Sequence, residues 1–368
     1  MKRIMTAASI TAAATAAHAG GIERTNQSVN VLFEEGRYLE FSLSGVSPTV
    51  SGVGGLLTPG LSSGDMTETY LQFGAAYKAD LNDTWSYAIF YDQPYGADVN
   101  YPGAPGPGSY FAAGSTAEFN SQALTGIVQY ILPSNVSFHA GLRVQSIEAT
   151  AVVPFLGAYS ADGERDFAMG YLVGAAYEKP EIALRVALTY ISDINHSLTT
   201  TENSGLGPDR VSPTLIDTPQ ALNLEFQSGV AEDTLVFGSI RWVEWSEFSI
   251  TPTDYGTISG GAPLVGFDDD RITYNLGVGR RLNETWSVLG SVSYEEQTGS
   301  PTGNLGPTDG RLGATIGAVY TRDNVRVTGG ISYVDVGDAN TRVGLAVPAG
   351  AFSGNYAIGA GIRVGYTF

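Results

Sequence analysis

The chain has 368 residues, no cysteine, and 37 acidic against 19 basic side chains, for a formal charge of −18. That balance excludes a broad phosphate-binding basic face, and with it nucleic acid as a partner. The lack of cysteine excludes a disulfide framework, and nowhere is there the run of about 18 apolar residues that a membrane-spanning helix needs.

The start, Met1-Lys2-Arg3, an Ala/Ile/Thr run and then Ala17-His18-Ala19, reads as a secretory signal peptide over residues 1–19. The mature chain then begins at Gly20. Residues 20–36 lack a clean strand pattern and carry Asn26, Gln27, Val29, Val31, Leu32 and Phe33. Two readings fit them: a short plug (hatch) folded back into a lumen, or a disordered tail. The apolar residues favour the plug.

Residues 37–368 divide into fourteen segments of alternating polarity, at 37–48, 68–80, 84–95, 116–131, 136–152, 165–179, 181–195, 218–230, 234–250, 270–281, 285–296, 310–321, 325–336 and 355–368. A period of two is the signature of a strand with different surroundings on its two faces. Even-numbered joints are tight and polar, as in Leu81-Asn-Asp83 and Arg322-Asp-Asn324. Odd-numbered joints, such as 49–67 and 96–115, are long and rich in Gly, Pro, Ser and Thr. Short turns alternating with long loops are the layout of a transmembrane barrel. The expected fold is therefore all-β, a 14-stranded antiparallel transmembrane β-barrel with an N-terminal plug.

Within segments the faces are consistent. Ile272, Tyr274, Leu276 and Val278 oppose Arg271, Thr273 and Asn275, and in the last segment Ile358, Ile362, Val364, Tyr366 and Phe368 oppose Arg363. A charge facing lipid at mid-membrane costs roughly 2–4 kcal/mol, so Lys78, Arg143, Arg185, Arg271, Arg311, Arg326 and Arg363 belong in the lumen. Glu40, Glu148, Glu225 and Glu295 are expected to share it. Tyr77, Trp85, Tyr130, Tyr177, Trp286 and Tyr320 fall near the short turns, where an aromatic girdle sits.

Three features bear on function. The third segment is interrupted by Asp92-Gln93-Pro94-Tyr95-Gly96, in which Pro94 cannot donate a ladder hydrogen bond and Gly96 marks a bend; the alternative is that Pro94 simply ends the strand. The long loops carry apolar residues, Leu56, Leu57 and Leu61 in one and Tyr101, Tyr110 and Phe111 in the next, which suit either a landing groove for a ligand or packing between loops. For a carboxylate ligand, Arg143 and Arg185 are candidate cations, against a structural ladder of wall charges. His139 and His196 offer no catalytic arrangement, and Asp268-Asp-Asp270 reads as a solvated acidic loop rather than a metal site. No enzyme activity, cofactor or metal is expected.

The order of these pieces resembles the FadL/TodX family of outer-membrane channels for hydrophobic molecules. The resemblance rests on Leu32-Phe-Glu-Glu-Gly36, the third segment, Trp242-Val-Glu-Trp-Ser-Glu-Phe248, Asp270-Arg-Ile272 and Thr285-Trp286. It implies a hatch in the lumen, capture of a lipophilic ligand such as a long-chain fatty acid at the outer loops, and passive diffusion. It also implies an inward kink of the third strand over Asp92–Gly96 that opens the wall sideways. Its partners would be outer-membrane lipid and lipopolysaccharide, with barrel-assembly machinery reading the aromatic C-terminus of a monomer. The competing function is an aqueous porin, general or anion-biased, with the lumen arginines as its selectivity ring.

Overall fold

The computed structural model describes residues 22–344 and 346–368; the expected signal peptide and Gly20 lie outside them. The main sheet closes on itself as fourteen antiparallel strands, three of them broken in two. They are β1 (Tyr38–Thr49), β2 (Tyr70–Asp80), β3 (Trp85–Asp92 and Gly96–Asn100), β4 (Thr116–Ile131), β5 (Val136–Val153), β6 (Tyr159–Lys179) and β7 (Leu184–Ile191 and Ile194–Asn203). The circuit continues through β8 (Arg210–Thr218 and Ala221–Ala231), β9 (Thr234–Val243), β10 (Arg271–Arg281), β11 (Trp286–Glu295), β12 (Arg311–Arg322), β13 (Val325–Val336) and β14 (Asn355–Thr367). Closure is by β1 on β14, in register from Tyr38↔Thr367 to Thr49↔Tyr356.

The alternation is realised as two surfaces. Leu71, Leu124, Leu142, Leu276, Ile316, Ile331 and Ile362 are exposed on the outside, while Gln72, Thr125, Arg143, Asn223, Thr315, Ser332 and others of the opposite parity are buried inside. An apolar exterior around a polar interior inverts the soluble pattern and fits a bilayer, where only a closed barrel leaves no backbone edge unpaired. Aromatic pairs ring the short-turn end, with Trp85 and Tyr130 4.7 Å apart and Trp286 and Tyr320 5.1 Å apart. A second ring follows the long-loop end, marked by Tyr171–Tyr190 and Tyr333–Tyr356. The tight turns place Asn135, Asp233 and Asp323 at positive φ, a conformation that Asn and Asp tolerate better than other side chains.

The boundaries depart from the sequence reading at β6 to β8. The expected loops 153–164 and 196–217 are largely strand, leaving connections of only 154–158 and 204–209. Here Leu198, Thr200 and Glu202 face inward and Ser197, Thr199 and Thr201 outward. Polar residues on both faces weaken the alternation, because these strands have risen above the apolar band. Glu148 is likewise corrected: it lies on the outer surface, paired with Arg165 at 2.9 Å, where a bulge shifts the β5–β6 register between Ile147 and Ala149. The loops between β9 and β10 and between β13 and β14 also hold structure of their own, including the short helix α1 (Thr253–Ser259).

Candidate functional site

Residues 22–36 run through the lumen. A 3-10 turn over Asn30–Phe33 follows Val29, and Val29 and Leu32 are both 2 % exposed. Glu225 of β8 anchors this turn, accepting from Ser28 Oγ at 2.5 Å, Asn30 Nδ2 at 2.8 Å and the Val29 N–H at 3.4 Å. Arg185 of β7 donates to Asn30 Oδ1 at 2.8 Å and lies 4.5 Å from the centre of the Phe33 ring. Arg326 of β13 holds Glu34 at 2.7 Å, and Arg241 of β9 forms a buried ion pair with Glu23. Each of these charges thus meets an opposite charge or a hydrogen-bond partner, as burial requires.

The wall is irregular beside this segment. The β2–β3 ladder runs from Asp80↔Ser86 to Ala75↔Tyr91 and stops there. The second half of β3 pairs with β4 and rejoins the chain before β2 around the bridge Thr67↔Val99, where Asn100 Nδ2 donates to Glu68 Oε1 at 2.9 Å. Between these points the lipid-facing Leu71 and Phe73 border a gap. The Phe73 N–H, deprived of a ladder partner, donates to Gln93 Oε1 at 2.9 Å. The kinked backbone pairs instead with the lumen segment: Glu23↔Tyr95 is an antiparallel bridge, Arg24 N donates to Pro94 O at 2.7 Å, and Gly96 N donates to Ile22 O at 2.8 Å. The bend has turned β3 inward, and residues 22–25 take up hydrogen bonds that β2 no longer supplies.

An aromatic cluster sits against the kink. Tyr95 meets Trp245 edge-on at 5.8 Å, Trp245 meets Phe248 and Phe267 at 5.5 and 5.0 Å, and Phe248 meets Phe119 at 6.2 Å. Such pairs contribute about 0.5–1.5 kcal/mol each beyond the area they bury.

Among the described residues, cavities lie from the loops inward to the wall. The outermost, about 70 Å³, lies among the loops and is lined by Tyr101, Phe155, Tyr255, Leu264 and Leu305. Leu264 and Leu305 also line the second, an apolar cavity of about 50 Å³ walled by Ile22, Ala97, Phe119, Ala149, Leu198 and Ile216. Beyond Ile22 lies the third, about 280 Å³ with a mixed lining, bordered by Glu23, Thr25, Arg143, Glu225 and Arg241 and reaching the wall at Phe73, Gly74, Tyr91 and Asp92. The loop carrying α1 covers the upper cavities. It is tied down by Glu202, which accepts the Asp254 N–H at 3.0 Å, and by Asp254, which accepts from Ser204 Oγ at 2.5 Å and pairs with Arg210. The Ser204 hydrogen bond, with the Arg210 guanidinium, holds the Asp254 carboxyl below its ordinary value.

The same barrel recurs among solved structures. The chain aligns with a FadL homologue from Pseudomonas aeruginosa at a TM-score of 0.74 and 15% identity, covering 91% of each chain. It aligns with the P. putida toluene transporter TodX at 0.61 and 15%, again covering 91% of each. For the Ralstonia pickettii toluene transporter TbuX the values are 0.59 and 13%, with 91% of this chain and 90% of that one covered. No protein-family model and no curated protein matches the sequence. The chain has the FadL/TodX barrel fold.

Within that fold the residues singled out from sequence fall in three places. Asp92, Gln93, Pro94, Tyr95 and Gly96 span the break in the β2–β3 ladder, where Gln27 donates to the Tyr95 hydroxyl at 3.3 Å, and Asn26, Val29, Val31, Leu32 and Phe33 lie along the lumen segment. Tyr101 and Tyr110 stack at 5.6 Å inside a loop core with Phe111 against Phe155, Tyr101 being 1 % exposed. Leu56 and Leu57 lie exposed on another loop, near Leu61, so these residues do not form one pocket. Arg143 and Arg185 are engaged by Asp92 and by Asn30 with Gln227. The sequence reading missed Arg24, Glu23 and Arg241, and assigned no site role to Trp245 and Phe248. The Trp242–Phe248 stretch marked the last two; nothing local marked Arg24.

Proposed function

We propose that the chain is a bacterial outer-membrane channel for passive uptake of hydrophobic molecules, long-chain fatty acids among them. The observation that carries this reading is the succession of cavities from the loops to a gap in the wall between β2 and β3. A lipophilic molecule crossing a fully aqueous pore forfeits roughly 0.8 kcal/mol for each CH₂ that water would have to hydrate. The loops capture it, the apolar cavity holds it, and the kink at Asp92–Gly96 releases it sideways into the bilayer. The names of the structural neighbours, toluene transporters and a FadL homologue, support a lipophilic cargo. An aqueous porin is disfavoured by the lumen segment, which Glu225, Arg185 and Arg326 hold across the bore.

The test is uptake of radiolabelled toluene and oleate by cells expressing the chain in place of their own channels, together with conductance in planar bilayers. Uptake above the empty-vector control with little steady current is the expected result. A large ohmic current without uptake would sink the proposal in favour of a porin.

A further inference from the structure

Arg24 stands inside the wall gap. Its guanidinium lies 4.1 Å from the centre of the Tyr70 ring on β2 and pairs with Asp98 on the second half of β3. Its own carbonyl accepts from Gln72 Nε2 of β2 at 2.8 Å. The side chain is 7% exposed, more buried than that of its partner Asp98 at 23%. Gly96 is required for this placement, since a methyl group there would overlap the Arg24 guanidinium. One residue of the lumen segment therefore joins the two strands that the kink has separated.

We propose that Arg24 is an ionic latch that keeps the lateral opening shut. The inference rests on the lateral-release reading above and adds what closes that route. A cation between an aromatic face and a carboxylate is held by cation–π and ion-pair attraction together, and a low-dielectric surround strengthens both. The latch is wired to the apolar cavity by a short path. Ile22 lines that cavity and its carbonyl accepts the Gly96 N–H, so a molecule pressing on Ile22 strains the bridge two residues from Arg24. Release of Arg24 from Tyr70 and Asp98 leaves a passage bordered by Leu71, Phe73 and the inner face of β3.

The test uses initial uptake rates of the hydrophobic probe that the wild-type chain transports. Arg24→Ala, with a folded barrel verified by its heat-shifted gel mobility, is expected to take up the probe roughly three- to tenfold faster, as loss of one cation–π contact and one ion pair implies. Arg24→Lys keeps the charge and stays close to wild type. In the converse experiment, Glu23→Cys with Tyr95→Cys places two thiols at the narrow antiparallel bridge beside the latch, in a chain with no other cysteine. Oxidation should lower uptake well below that of the same variant in its reduced state. Unchanged or slower uptake by Arg24→Ala, or equal uptake by the oxidised and reduced double variant, overturns the latch while leaving the channel reading intact. Failure of the wild-type chain itself to transport overturns the channel reading instead.

Discussion

Arg143 and Asp92 grip each other inside the barrel: one guanidinium nitrogen lies 2.9 Å from one carboxylate oxygen and 3.0 Å from the other. Asp92 is the last paired residue of β3 before the kink and also accepts from Thr25 Oγ1 at 3.0 Å, so the pair fastens wall, kink and lumen segment at one point. Removing one member of a fully buried pair costs roughly 3–5 kcal/mol, because the other charge is left without compensation. Asp92 retains 20% exposure and Arg143 keeps Gln27 as a partner. Asp92→Asn is therefore expected to cost less than that range, about 2 kcal/mol. The measurement is the temperature at which the folded barrel band converts to the unfolded one on a gel, and an unchanged temperature would contradict the structural role given to this pair.

Pro94 is the residue that makes the kink permanent. It lacks an N–H, so β3 could not complete a ladder there even if it straightened, and its carbonyl already serves Arg24 and Thr25. Pro94→Val restores the donor and favours extended backbone. Uptake of a hydrophobic probe is expected to fall toward the background of cells without the channel, while barrel yield and heat-shifted mobility stay at wild-type levels. Full uptake by a well-folded variant would mean that the ligand leaves by another route.

These two residues show how far the sequence could be read. The barrel was legible because each strand between lipid and lumen must alternate, and the joints sort by length for the same reason. Pro94 was legible because its chemistry is local. The Arg143–Asp92 pair was not, since nothing in a single sequence links positions on strands that are not ladder neighbours. Arg143 therefore read either as one rung of a ladder of wall charges or as a candidate cation for a carboxylate ligand, with no partner assigned. Arg24 was harder still. It sits in a stretch with no periodicity, and its meaning depends on a gap between β2 and β3 that exists only once the kink has folded inward. The extensions of β7 and β8 were lost for the opposite reason: their pattern is regular, but above the apolar band both faces are polar and the contrast fades.

The covering loop should respond to acid. Asp254 has a lowered carboxyl pKa in the folded protein, through its bond from Ser204 and its pairing with Arg210. A depressed folded value means that the unfolded loop binds protons more readily, so the bond contributes its full stability above the ordinary carboxylate value of about 3.9 and loses it as pH falls through the lower folded value. Resistance of the loop around Thr253–Ser259 to pepsin is thus expected to hold down to about pH 4 and to decline below it. Asp254→Asn should show the weakened, acid-insensitive protection throughout. A loop equally resistant in both proteins at every pH would remove Asp254 from the brace.

Glu225 anchors the turn of the lumen segment. Its two carboxylate oxygens receive the Ser28 hydroxyl, the Asn30 amide and the Val29 backbone N–H, and hydrogen bonds to a charged group are worth about 1.5–3 kcal/mol each. No other wall residue accepts so many bonds from the lumen segment among the described residues. Glu225→Ala removes all of them and leaves Arg185 with Asn30 and Gln227 as its hydrogen-bond partners. The segment keeps its ties from Glu23 to Arg241, Asn26 to Asn223, Gln27 to Arg143, Asn30 to Arg185 and Glu34 to Arg326, so the turn around Val29 is loosened while the segment as a whole stays attached. The expected consequence in planar bilayers is frequent transient openings in place of a quiet baseline, with barrel stability barely altered because the wall ladders are untouched. Glu225→Gln can still accept the Ser28 and Asn30 bonds through its amide oxygen and should open less often. A baseline as quiet as wild type in Glu225→Ala would show that the bore is closed without this anchor, and that the apolar contacts of Val29 and Leu32 suffice to hold the segment in place.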